Sequence, residues 1–75
     1  MSAILRPVLT VTVNGKPTEL AAAQATLADV VALMGLEGKR IAVEKNGEVV
    51  PRSRYASTPV VRGDRLEIVG AVGGG

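Results

Sequence analysis

At 75 residues, with 47% hydrophobic side chains and no cysteine, the chain is one domain near the lower size limit for a single core, without help from disulfides or thiolate metal sites. A net charge of +2 with no histidine gives little reason to expect a polyanionic partner. With cysteine absent too, the usual general base, nucleophile and soft metal ligand are missing, which argues against an autonomous enzyme.

The first seven residues carry a single arginine and only the apolar pair Ile4-Leu5, too short a hydrophobic region for a signal peptide. No apolar run approaches the roughly 18 residues of a membrane span, so a cytoplasmic protein without membrane association is expected. Val8 to Val13 alternates Leu9, Val11 and Val13 with Thr10 and Thr12, the period of a strand with one buried face. Asn14-Gly15 suits a tight hairpin turn. The return strand is expected at Thr18 to Leu20 or Ala21, at a sheet edge because of Pro17.

Thr26 then offers an N-cap, with Asp29 three residues on, a variant capping box that also places a carboxylate at the positive end of the helix dipole. Leu27, Val30, Val31 and Met34 stand at i, i+3, i+4 and i+7, one apolar stripe. Gly35 followed by Leu36 predicts a left-handed C-cap with its hydrophobic contact. After a polar loop to Arg40, Ile41 to Lys45 resumes alternation, Asn46-Gly47 predicts a second hairpin, and Glu48-Val49-Val50 returns. Pro51 withholds the donor needed to extend that ladder. Arg52 to Val61 reads as a loop with one 3₁₀ turn, Tyr55 covering an end of the core. Gly63-Asp64 turns the chain into a last strand, Arg65 to Val69, with Leu66 and Ile68 inward.

One helix covers only one face of a sheet, so the order implies an α+β fold: a ββαββ mixed sheet with the helix packed across one face, the ubiquitin-like β-grasp roll. Its first and last strands would lie side by side in parallel at the centre. Residues 1–75 make one domain, with 71–75 a flexible tail. That tail, Ala71-Val72-Gly73-Gly74-Gly75, reads in two ways: as an ordinary frayed terminus, or as an arm without side chains that enters a narrow channel. The arginines at 52, 54, 62 and 65 read as solvated surface, because Asp64 and Glu67 interleave and no aromatics stand ready to stack on bases. Nucleic acid is not an expected partner.

Three segments together carry a resemblance: Ala42-Val43-Glu44-Lys45-Asn46-Gly47-Glu48-Val49-Val50-Pro51-Arg52, then Gly63 to Val69, then the glycine ending. In order and spacing they resemble the thiamine-biosynthesis sulfur carriers, the ubiquitin-like ThiS family, over about Val8 to Gly75. The resemblance implies that an E1-like adenylyltransferase, using ATP, activates the carboxylate of Gly75. A free α-carboxyl titrates at roughly 3.3 to 3.7, so it is ionised at neutral pH and a poor acyl donor until a mixed anhydride supplies a leaving group. Sulfur relayed from a cysteine desulfurase would leave a thiocarboxylate on Gly75 for thiazole synthase, with Gly73 and Gly74 as the slim approach. No bound cofactor is implied. The partners would dock on the uncovered sheet face, with residues of the last strand. The residues before Val8 exceed the family's usual start and are expected to fray, and a third glycine leaves open whether Gly73 belongs to the reactive arm. Competing readings are the small subunit of molybdopterin synthase, a protein modifier joined through Gly75 to lysines, and a plain interaction module.

Overall fold

Alternation at the start of the chain is realised as a half-buried strand. In the computed structural model, which describes residues 8–21 and 25–70, β1 (Leu9–Val13) buries Leu9, Val11 and Val13 and exposes Thr10. Asn14 and Gly15 follow at φ 52° and 82°, a left-handed pair whose twist matches that of a hairpin. The return strand β2 (Lys16–Leu20) begins two residues earlier than Thr18 and takes in Pro17, which stands opposite Thr12. It is an edge strand of its sheet, where one side of the backbone is unpaired and a residue without an N–H is tolerated.

A two-residue strand β3 (Ala25–Thr26) runs into helix α1 (Leu27–Leu33). Thr26 Oγ1 accepts from the Asp29 N–H at 3.3 Å and Asp29 Oδ2 accepts from the Thr26 N–H at 2.8 Å, so the capping box is complete. Leu27, Val30 and Val31 are buried as their spacing requires. Met34 is not: it is the C-cap residue and 40% exposed. The helix stops a residue short of it, because Gly35 turns left-handed at φ 70°. The Gly35 N–H then donates to the Ala32 carbonyl and the Leu36 N–H to the Val31 carbonyl, each at 3.0 Å. This Schellman closure puts Leu36, rather than Met34, against the core beyond Val31.

The second hairpin joins β4 (Ile41–Lys45) to β5 (Glu48–Val50) through Asn46 and Gly47 at φ 53° and 88°. The expected single turn after Pro51 is a longer 3₁₀ helix, Arg52–Ser57, with Tyr55 buried in it. Next comes β6 (Pro59–Val60), which pairs with β3 as a separate two-stranded sheet, and last β7 (Arg65–Gly70).

The main sheet has the order β2-β1-β7-β4-β5. β7 is its middle strand, parallel to β1 and antiparallel to β4. Leu66 and Ile68 point into the core with Val11, Val43, Leu27 and Val30, so the helix covers one face, as the ββαββ reading requires. The segments expected to fray, 1–7 and 71–75, lie outside the described residues.

Val31→Asp puts a carboxylate into the buried apolar stripe of the helix, where a charge is costly. A cost on the order of 5 kcal/mol is comparable to the whole stability of a small domain, so the cooperative thermal transition should be lost; an unchanged transition would show that the stripe is not core.

Candidate functional site

The middle strand reaches Gly70, opposite Ile41 of β4, and the sequence then continues into Ala71-Val72-Gly73-Gly74-Gly75. Gly73, Gly74 and Gly75, the candidate site residues, lie outside the described residues. What the structure does show is the strand that leads to them and how it is held.

β1 is too short to cover the whole of β7. Its ladder includes the Gly63 N–H donating to the Thr10 carbonyl at 3.0 Å, the Thr12 N–H donating to the Asp64 carbonyl at 3.0 Å and the Asn14 N–H donating to the Leu66 carbonyl at 2.8 Å. There the chain turns away. The Asn14 side chain supplies the next step: its Oδ1 accepts from the Ile68 N–H at 2.7 Å and its Nδ2 donates to the Ile68 carbonyl at 2.9 Å. A carboxamide has one acceptor and one donor group, and here it reproduces the peptide edge of a missing strand residue.

The other hairpin performs a matching task at the start of β7. The Asn46 N–H donates to the Arg65 carbonyl at 2.7 Å, Asn46 Oδ1 accepts from the Arg65 N–H at 2.9 Å, and Asn46 Nδ2 donates to Asp64 Oδ1 at 3.0 Å. Asp64 is buried, yet fully engaged. Its Oδ2 also accepts from the Val61 N–H at 2.8 Å and lies 3.6 Å from Lys45 Nζ. A buried charge that is paired and hydrogen-bonded escapes the heavy cost of an isolated one.

Both asparagines had been readable only as turn residues, since Asn-Gly is a hairpin signal whatever its side chain does. The sequence signal in them is only that each turn uses asparagine, which can donate and accept at once; that they flank the same strand is set by the fold.

The sheet face away from the helix is open. In register across it lie Thr12 beside Arg65, Glu67 beside Glu44, and Val69 beside Ala42, with Val49 beyond Glu44 on β5. Val69 and Val49 are 58% and 72% exposed. Glu44 and Glu67 are directly opposed like charges, an unfavourable cross-strand pair. Among the described residues the one ion pair is Lys45–Asp64, so neither glutamate is in ion-pair contact with a described cation; the nearest on that face in register is Arg65, two residues along β7 from Glu67. Of the four arginines in question, Arg52 is engaged with the Lys39 carbonyl at 2.7 Å, while Arg65 stands on the open face and all four are exposed. They are spread over the 3₁₀ helix, the turn before β7 and β7 itself.

A groove of about 740 Å³ lined by Leu9, Thr26, Asp29, Val60 and Arg62 is also present. Because β1 and β7 are parallel with Thr12 beside Arg65, Leu9 marks the upstream end of β7, so the groove lies away from the strand's exit. Among the described residues no acidic cluster could hold a metal ion, and no helix is long and apolar enough to cross a membrane.

The ThiS family model matches residues 11–75. A thiazole synthase of Paramagnetospirillum magneticum is 40% identical over 63 residues, which span 84% of this chain but 19% of that longer protein. The sulfur carrier protein ThiS of Bacillus subtilis is 37% identical over 62 residues, 83% of this chain and 94% of its own length. The crystal structure of a thiamine biosynthesis protein (ThiS) from Geobacter metallireducens superposes with a TM-score of 0.78 at 32% identity, covering 89% of this chain and 100% of that one. The solution structure of a thiamine biosynthesis protein from the same organism gives 0.73.

Glu67→Lys should convert the opposed glutamates into a favourable pair and raise stability by roughly 0.2–1 kcal/mol. The urea midpoint should rise at constant slope, and less so in high salt. A lower midpoint would mean that the two carboxylates do not repel across the strands.

Proposed function

This chain belongs to the ThiS family, and from that premise we propose how it handles sulfur. It is a sulfur carrier of thiamine biosynthesis, a protein substrate rather than a catalyst. That assignment decides between the sulfur-carrier readings of the sequence in favour of thiamine over molybdopterin, and it sets aside the modifier and the plain interaction module.

In the proposed cycle the carboxylate of Gly75 attacks ATP on an E1-like adenylyltransferase, and pyrophosphate leaves. The resulting acyl adenylate carries a good leaving group where the free carboxylate had none. A persulfide relayed from a cysteine desulfurase then displaces AMP to form an acyl disulfide on Gly75. A thiol cleaves its S–S bond, becoming a disulfide and leaving the thiocarboxylate for thiazole synthase. Gly73 and Gly74 let the chain pass through a channel too narrow for side chains. ATP belongs to the activating enzyme, and this chain holds no cofactor of its own. The setting is the cytoplasm.

The observation that carries the reading is the course of β7. The strand at the middle of the sheet, tied on both sides, is the one that leads into the glycines. A rigid base for a slender arm suits a group that must be offered to successive active sites. Support for thiazole synthase as the consumer comes from the relative of that name, which contains a matching segment within a longer chain. The open sheet face, with Val69 and Val49 exposed and two glutamates directly opposed across the strands, suits docking of a partner that brings apolar contacts and a cation.

Deleting Gly75 tests the cycle. The truncated chain should keep its thermal transition and gain no mass when incubated with ATP, the activating enzyme and a sulfur source, whereas the intact chain gains the difference between sulfur and oxygen. Full loading of the truncated protein would refute Gly75 as the charged residue.

A further inference from the structure

We propose that Asn14 is a positioning residue for activation of the C-terminal carboxylate: among the described residues its carboxamide is the last tie on the β1 side of β7, and so it sets the direction from which the strand leads into the arm. This rests on the reading of Gly75 as the activated residue. Before Ile68 that edge is held by backbone N–H groups, Thr12 donating to the Asp64 carbonyl and Asn14 to the Leu66 carbonyl. At Ile68 the holding group is a side chain, with bonds of 2.7 and 2.9 Å to both polar groups of that residue. Past Ile68, Val69 and Gly70 have register partners only on β4 among the described residues. A strand held along one edge can swing about it, and a strand held along both cannot. Asn14 therefore sets where two-sided support ends and the arm begins.

Asn46 is its natural control. It too is the first residue of an Asn-Gly turn, at φ 53° against 52° for Asn14, and its carboxamide also bonds the backbone of β7. It does so at Arg65, the end of the strand farthest from Gly70. If the two carboxamides only stabilise the fold, removing that of Asn46, which also donates to buried Asp64, should cost at least as much activity as removing that of Asn14. If Asn14 aims the arm, it alone should affect the chemical step. Activation requires a Gly75 carboxylate oxygen to meet the α-phosphorus of ATP in line, forming the acyl–phosphate bond as the bond to pyrophosphate breaks. A misplacement of about 1 Å can cost as much as 100-fold in such a step.

Glycine preserves the left-handed turn while deleting the carboxamide, so Asn14→Gly and Asn46→Gly are the matched variants. Pyrophosphate release is followed with the purified E1-like adenylyltransferase and saturating ATP, varying the carrier. The expected result is a fall in kcat of about tenfold for Asn14→Gly with KM nearly unchanged, against less than about twofold for Asn46→Gly. Asn14→Asp keeps the turn and the acceptor for the Ile68 N–H but loses the donor; it should fall between, and it carries the comparison if the glycine variant does not fold. At least as large a loss in the Asn46 variant as in the Asn14 variant, or a change confined to KM, would overturn the positioning role while leaving Gly75 as the activated residue. A wild-type chain that releases no pyrophosphate would overturn both.

Discussion

A strand in the middle of a sheet must satisfy its backbone on two edges, and the first strand of this protein is too short to do that for the last. β1 ends at Val13, whereas β7 continues to Gly70. A buried peptide group left without a partner costs as much as a lost hydrogen bond or more. The deficit at Ile68 is met by the carboxamide of Asn14; on the opposite edge, where β4 ends at Lys45, the carboxamide of Asn46 extends the pairing to the exposed Arg65. The two Asn-Gly turns thus serve as its clamps. Their left-handed backbone brings each asparagine alongside β7, and the following glycine completes the reversal.

The remainder of the structure economises in the same way. With one aromatic residue in the chain, the interior is filled by short branched side chains, Leu27, Leu66, Val11, Val30 and Val43 being fully buried. A helix of seven residues is too short to be stable alone. Thr26 and Asp29 close its start, a Schellman turn closes its end, and the buried stripe fixes it to the sheet. Polar groups follow the same accounting: no described side-chain nitrogen or oxygen is buried without a partner. Asp64 looks exceptional in an aliphatic core, but it bonds Asn46 and Val61 and sits beside Lys45. It joins the second turn to the start of β7.

Much of this architecture was legible because it rests on period and punctuation. Leu9-Val11-Val13, Leu66-Ile68 and Leu27-Val30-Val31 announce their buried faces, and the two Asn-Gly pairs announce the hairpins. Met34 broke the helical pattern because Gly35 ends the helix early and hands its place to Leu36. The β3–β6 pair was invisible because strands of two residues have no period to detect. The clamps were hidden for another reason: they depend on which side chain a turn brings beside which strand, and local sequence does not encode that. Gly73, Gly74 and Gly75 were conspicuous from composition alone, and their assignment rests on the family and on the strand that leads to them.

The open face keeps Glu44 and Glu67 opposed at a cost to stability, beside exposed Val69 and Val49, while the other face is packed without such compromise. A fold that tolerates strain on the surface nearest its working strand, and nowhere in its core, is divided into a supporting side and a meeting side. The support depends on β7 being fixed along both edges, and amide hydrogen exchange measures that residue by residue. The amides of Ile68 and Arg65 should exchange as slowly as that of fully buried Val43, through global unfolding alone. Exchange of either at the fast rate of the exposed turns would mean that the carboxamides do not hold the strand, and that the arm has no fixed base.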